Sequence, residues 1–361
     1  MEQAASTATA QQKTLNSQDN AKRQEAVAGL AFTAPAFLIL LVFLILPLFV
    51  AFYFSLTDWN GRTPLTNDDA YSIVGIENYE TLLINGRRVD DFYNALKNTI
   101  YYVIGVVPLQ TALALVLAVI VNQRWLKGRG FFRTAFYFPS ITSSIVVSMI
   151  FLFLFSNTGP VNGLLGAIFP NYERVSWLSD NNGLFHNILG IVGINEGNVG
   201  GWAQSEVFRI ELWDWISGPS VAMFTIMLLA VWTTIGTMMV IYLAALQNIP
   251  SSVYEAAQVD GATGLQTFRK ITLPLLRPTT FFVVTIGLIG TFQVFDQIYM
   301  LRNDQTRRTT MTAAYLVYDT AFNLGDPRMG LAAASAITLF VIIFFATVLQ
   351  RRFVGGDQAD N

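Results

Sequence analysis

Six apolar runs, at about 30–54, 99–121, 134–155, 219–246, 279–301 and 330–350, constrain this chain more than any other feature. Each exceeds the roughly 18 residues that separate a membrane-spanning helix from a buried core helix. Hydrocarbon offers a backbone amide no partner, so a run of this length must satisfy its own N–H and C=O groups and folds as a helix. The expected fold class is all-α: a polytopic membrane protein with six transmembrane helices. Composition agrees, with 53% of residues hydrophobic and 13% charged. Pro35 and Pro47 in the first run and Pro108 in the second are expected to kink their helices without ending them, since neighbouring helices satisfy the freed carbonyls. The last run opens with Gly330, Ala332, Ala333, Ala334, Ser335 and Ala336, small residues that let helix backbones approach closely.

Between the fourth and fifth runs, residues 255–274 read EAAQVDGATGLQTFRKITLP. The local chemistry predicts two short helices split by a break. Ser252 and Glu255 have capping-box spacing, as do Thr263 and Gln266, and Gly261 is placed to end the first helix. Pro274 and Pro278 are expected to stop the second. In this loop Glu255, Ala256, Ala257, Asp260, Gly261, Ala262, Phe268, Ile271, Leu273 and Pro274 resemble the EAA loop of permease subunits from ABC-type importers, the sugar importers above all. Similar segments recur over about residues 28–354: LPLFVAFYFSLTDWNG at 46–61, VGIENYETLL at 74–83, NALKNTIYYVIGVVPLQ at 94–110, GRGFFRTAFYFPS at 128–140 and FQVFDQIYML at 292–301. One stretch departs from the pattern, since residues 184–218 lengthen the connection between the third and fourth runs.

The resemblance implies a type I ABC importer permease architecture. It divides the chain into a disordered cytoplasmic tail at 1–28, a six-helix permease domain at 29–354 and a C-terminal tail at 355–361. Within the domain, 156–218 is expected outside and 247–277 in the cytoplasm. Glu255, Ala256, Ala257, Asp260, Gly261 and Ala262 would then couple the permease to its ATPase. Their local alternative is purely structural, a cap at Glu255 and a helix stop at Gly261.

Charge alone decides the orientation narrowly. Arg124, Lys127, Arg129, Arg133, Arg269, Lys270, Arg277, Arg351 and Arg352 fall on one side, opposed by Arg87, Arg88, Lys97, Arg302, Arg307 and Arg308. The resemblance assigns the EAA loop, and with it both termini, to the cytoplasm of a bacterial or archaeal cell. The basic cluster from Arg124 to Arg133 also suits attraction to anionic headgroups. The first run is too long for a signal-peptide core and is expected to stay as an uncleaved anchor. Cysteine is absent, which excludes disulfides and thiol ligands.

A transport path needs polar groups at bilayer depth. In the fifth run Gln293, Asp296 and Gln297 are spaced i, i+3, i+4, so a continuous helix would place them on one face, continued inward by Gly290. A charged aspartate at mid-span costs about 2.5–3.5 kcal/mol on insertion scales, which favours a water-filled cavity over lipid. Its other reading sets Asp296 about 8 Å from the outer end of the run, within reach of interfacial water. Thr233, Thr234 and Thr237 in the fourth run, and Ser140 and Ser144 in the third, offer hydroxyls that also bond their own helix carbonyls. The resemblance implies that these parts of the corresponding helices hold substrate.

Enzyme chemistry finds little support. No GxxxxGK[ST] pattern is present, so the phosphate-binding loop of an ATPase is missing. The one histidine, His186, has no HExxH or cysteine partner for a metal site. The aromatic and acidic segment with Glu196, Trp202, Glu206, Glu211, Trp213, Asp214 and Trp215 suits a binding-protein contact, a membrane surface or a plain insert. A secondary transporter or a polytopic enzyme remains the alternative class; the first would show repeats and coupling acids at the midplane. The resemblance implies partners: a second homologous permease, two ATPase subunits carrying ATP and Mg, and an extracytoplasmic sugar-binding protein. Membrane lipid surrounds the chain, and nucleic acid has no place in this reading. It implies no cofactor on this chain. None of the six runs contains Lys or Arg, which points to an uncharged di- or oligosaccharide over a glycerol phosphate ester.

Overall fold

The computed structural model describes residues 22–354 apart from Asp68, Arg87, Arg124, Asn323 and Leu324. The chain divides into two compact units, Met1–Phe54 and Ser55–Asn361. The described residues of the first unit all belong to one helix, α1 (Lys22–Ser55), whose last residue falls in the second unit. Its turn at Leu41–Ile45 widens to π geometry, with the Leu46 amide bonded to the Leu41 carbonyl. The cause follows at once in the chain: Pro47 has no N–H, and its ring would strike the carbonyl four residues back in a regular helix. Helix begins at Lys22, so residues 22–28 are not the tail expected of them. Lys22, Arg23, Gln24, Glu25 and Ala26 are strong helix formers contiguous with the apolar run. The rest of that tail, and the tail expected at 355–361, lie outside the described residues.

In the second unit the described helices used below are α2 (Glu77–Leu83), α3 (Val89–Asn122), α4 (Arg129–Ile141), α5 (Ser144–Leu154), α6 (Pro160–Ile168), α7 (Leu184–Ile191) and α8 (Leu212–Ile216). They continue with α9 (Val221–Gln247), α10 (Ser251–Val259), α11 (Gly264–Leu275), α12 (Arg277–Phe292), α13 (Asp296–Leu301), α14 (Ala313–Phe322) and α15 (Met329–Val354). A short antiparallel hairpin, β1 (Glu206–Val207) with β2 (Ile210–Glu211), is the sheet among the described residues.

α1, α3, α9 and α15 are each long and apolar enough to cross a membrane, and two bent pairs bring the total to six. The third run is not one helix: α4 and α5 meet at 98°. Pro139 lies inside α4, and Thr142 and Ser143 take extended backbone at its end. The freed carbonyls are met locally, Ser140 Oγ donating to Tyr137 O at 2.7 Å and Thr142 Oγ1 to Phe138 O at 2.9 Å. In the fifth crossing α11 and α12 bend by 65° where Pro278 starts a new helix.

α3 and α9 form the centre of the second unit. A Cβ added at Gly105 would lie 1.9 Å from Met227 Cε, and Thr234 bonds Gln110, so the two helices run parallel. α12 runs back between them, with Gly287 against Gln110 and Thr280 bonded to Tyr242 at 3.1 Å. Gly236 brings α9 onto α4 so closely that a Cβ there would sit 2.1 Å from the Phe136 carbonyl oxygen. Without a hydrophobic driving force between helices in lipid, such close small-residue contacts supply the packing. Two buried clusters fill the centre. One joins Tyr102, Val106, Phe151, Met223 and Ile298, the other Ala114, Ala118, Met239, Tyr242 and Val283. At the end of the bundle opposite the loop at 247–277, Asp319 accepts from Arg307 at 2.7 Å and Arg88 at 3.3 Å, tying α14 to the start of α3.

Candidate functional site

The loop after α9 folds as two helices with the break at Gly261. The Gly261 N–H bonds Gln258 O at 3.1 Å and the Ala262 N–H bonds Ala257 O at 2.9 Å, the paired contacts of a Schellman stop. Gly261 takes φ +72°, a region a β-branched side chain resists. Thr263 then starts α11 with a complete capping box to Gln266. The other expected capping box is absent: Pro250 precedes the first residue of α10, and neither Ser252 nor Glu255 caps it. The turn that Pro250 enforces sets that helix start without a side-chain cap. Ala257 faces inward and is buried, whereas Glu255, Ala256, Asp260 and Gly261 are exposed and Ala262 is half-buried. Tyr254 reaches Thr272 at 3.3 Å and holds α10 against α11. A π turn at Phe268–Thr272 precedes Pro274, as the one in α1 precedes Pro47.

A second polar arrangement lies among α3, α9, α12 and α13. The Tyr102 hydroxyl donates to Gln297 Oε1 at 2.8 Å, and Gln297 Nε2 donates to Thr233 Oγ1 at 3.4 Å. At the next residue of α9, Thr234 Oγ1 donates to Gln110 Oε1 at 2.6 Å. Gln110 is buried, and its Nε2 has no partner. A Cβ at Gly287 would come within 2.4 Å of that nitrogen, so glycine is what admits the amide between α3 and α12. Thr233 and Thr234 also bond carbonyls one turn back in α9, which fixes their rotamers.

The expected stripe of Gln293, Asp296 and Gln297 on one helix face is not formed. α12 ends at Phe292 with Gln293 as its cap, and Phe295 leaves helical geometry with ψ −60° at φ −132° before α13 begins at Asp296. No proline or glycine marks this break. The Thr312 hydroxyl supplies the bond that releases it, donating to Val294 O at 3.0 Å, while Thr291 Oγ1 bonds back to Gly287 O at 2.8 Å and loosens the preceding turn. Gln297 thus points to Tyr102 and Thr233. Gln293 is exposed and lines a mainly apolar cavity of about 530 Å³ with Ile289, Val317, Leu339, Phe340 and Ile343. Asp296 is exposed at the first position of α13, where its charge meets the helix N-terminus. Gly290 faces open space, and Thr237 is exposed. Ser140 and Ser144 flank the α4–α5 bend and are half-buried; α5 packs on α13 and α4 on α9.

Two members of the polar arrangement were missed from sequence. Gln110 carries the only side-chain amide in the second apolar run, a visible signal. Tyr102 has none beyond being one of two adjacent tyrosines. The second run also underestimates its helix: α3 begins at Val89, and the buried Lys97 lies within it, its ammonium 6.0 Å from the Tyr101 ring centre. The segment at 184–218 folds on itself. His186 stacks on Trp213 at 4.2 Å and its Nε2 lies 3.0 Å from Trp213 O, which accounts for that histidine without a metal. Among the described residues, no cluster of three or more His, Cys, Asp and Glu side chains is placed to bind a metal ion.

Similar chains match this one over nearly its whole length. The chain is 32% identical over 330 residues to the probable ABC transporter permease protein YesP of Bacillus subtilis (strain 168), spanning 91% of this chain and 90% of that one. It is 30% identical to the arabinooligosaccharides transport system permease protein AraP of the same organism, over 91% of this chain and 89% of that one. With the lactose transport system permease protein LacF of Rhizobium radiobacter it shares 29% identity, over 92% of this chain and 96% of that one. The fold matches a solved structure of a bacterial alginate ABC transporter in complex with alginate pentasaccharide-bound periplasmic protein, with TM-score 0.66 and 23% identity over 92% of this chain and 95% of the matched chain. The family described as binding-protein-dependent transport system inner membrane component matches residues 110–355, from Gln110 through the loop to the last helix, and this chain belongs to it as a non-catalytic ABC transporter permease subunit.

Proposed function

We propose that this permease carries an uncharged sugar, a di- or oligosaccharide, delivered by a binding protein on the side opposite the coupling loop. The observation that carries this reading is the neutral arrangement of Tyr102, Gln297, Thr233, Thr234 and Gln110, five hydroxyl and amide side chains across three spans with no Lys or Arg among them. Such groups exchange hydrogen bonds with sugar hydroxyls at little electrostatic cost, whereas an anionic solute needs a cation or a helix N-terminus to replace its hydration. Relatives named for arabinooligosaccharides, lactose and starch degradation products support the same class.

In this proposal the chain supplies half of the path and a second homologous permease the other half. Two ATPase subunits hold ATP and Mg. The exposed Glu255, Ala256, Asp260 and Gly261 meet one of them, and closure of the ATPases moves α10 and the spans behind it. Residues 156–218 then face outward, while 247–277 and both termini face the cytoplasm of a bacterial or archaeal cell.

The test is uptake into liposomes containing the full complex and its binding protein. Neutral oligosaccharides are expected to be accumulated, and Gln297→Ala to lower uptake about tenfold, the effect of one lost hydrogen bond worth about 1–1.5 kcal/mol. Accumulation of a glycerol phosphate ester in place of sugar, with Gln297→Ala at wild-type rate, would overturn both the solute class and the site.

A further inference from the structure

We infer that α7 is an interfacial helix whose outer face lies in the lipid headgroup region, on the membrane side opposite the coupling loop. One face is fixed to protein. Gly183 bridges Ser220, the Leu184 amide bonds Pro219 O at 3.0 Å, and the His186 ring stacks on Trp213. The other face carries Phe185, Ile188, Ile191 and Val192, which are 54%, 57%, 88% and 71% exposed. Their spacing places them on one stripe of the helix and its first following turn. From Leu184 to Ile194 no Asp, Glu, Lys or Arg interrupts it. A contiguous exposed apolar patch of this kind marks a protein or membrane contact.

Depth selects the membrane. Because α3 and α9 run parallel with Gly105 beside Met227 and Gln110 bonded to Thr234, the start of α9 at Ser220 is level with about residue 98 of α3, where the second apolar run begins. The Tyr101 hydroxyl agrees, donating to the carbonyls of Asp214 and Trp215 at 3.0 and 2.8 Å. α7 is tied to residues 217–219 and therefore begins at the edge of the hydrocarbon, while the first turns of α3 rise about 13 Å farther. A soluble protein approaching from that side meets the end of α3 and the hairpin on it before it meets α7. An apolar face without charge at headgroup depth has lipid as its partner.

The chain has no cysteine, so single nitroxide labels report cleanly. The complex, reconstituted in phosphatidylethanolamine and phosphatidylglycerol vesicles, would carry a label at Ile188, at Val192 as a second position in the patch, or at Asn198 as an aqueous reference. Collision with oxygen, which concentrates in lipid, is compared with collision with a water-soluble nickel chelate. Labels at 188 and 192 are expected to favour oxygen severalfold over the Asn198 label. Nickel accessibility equal to that at Asn198 would overturn the inference and leave a surface free for a soluble partner. Inaccessibility to both reagents would overturn it in favour of a protein contact. The readout needs neither solute nor ATP, so it stands apart from the solute proposal.

Discussion

At the scale of single residues, two glycines and one aspartate carry separable consequences. Gly261 has open space where a Cβ would go, so Gly261→Val acts through backbone alone: left-handed geometry costs an L-residue roughly 1–2 kcal/mol and should displace the end of α10. The expected outcome is normal insertion with sugar uptake per ATP hydrolysed reduced about tenfold, read by measuring both in the same vesicles. Gly236 is the opposite case, because a Cβ there meets the Phe136 backbone, which cannot move aside cheaply. Gly236→Ala should destabilise the packing of α4 on α9 by about 1–3 kcal/mol, seen as a lower unfolding temperature in detergent. Asp58 accepts the Ser72 hydroxyl and the Ser72 amide, each at 2.6 Å, and these bonds hold its carboxyl below the usual carboxylate range. A lowered folded value means the bonds contribute fully above the unfolded value of about 3.9 and lose that contribution as pH falls through the folded one. Exchange of the Ser72 amide should therefore accelerate, relative to its intrinsic rate, only at acid pH, and Asp58→Asn should abolish the dependence.

At the scale of elements, topology is directly testable. A cysteine at Ser252, in α10, should resist an impermeant thiol reagent applied to intact cells, and one at Asn198 should react; the reverse pattern would invert the orientation. α1, α3, α9 and α15 could be read from sequence because lipid leaves a long apolar run no alternative to a helix. The Gly261 stop and the Thr263 capping box were legible for another reason, since each is made by residues three to five apart. The breaks inside the other two crossings differ in kind. Pro139 announces the first. The fifth crossing bends at Pro278 and breaks again between α12 and α13, and nothing local announces that second break, where Thr312, farther along the chain, bonds the carbonyl of Val294. That one contact separates Gln293 from Gln297, so a helical spacing rule applied across it placed three polar residues on a face that does not exist. Gln110 and Tyr102 fall in the same class: their identities are plain in the sequence, but their meeting with Thr234 and Gln297 depends on how α3, α9 and α13 pack.

At the scale of the whole molecule, the direction in which α10 faces is fixed by how many residues the chain spends ahead of one proline ring. The turn at Phe268–Thr272 holds one residue more than an α-helix uses for the same rotation, and it does so because Pro274 forbids the tighter turn. Replacing Pro274 by alanine lets the turn close, and the surplus residue then rotates everything upstream by up to about 100° around the helix axis. Glu255 and Asp260 would swing with it, and uptake should fall even though neither of them has changed. Deleting Lys270 in the same variant removes the surplus and should restore much of the uptake; failure of that rescue would show that the ring acts by rigidity and not by phase. The facing of α10 is thus recorded as an angular offset, and an arithmetic change of one residue undoes what a chemical change of one residue does.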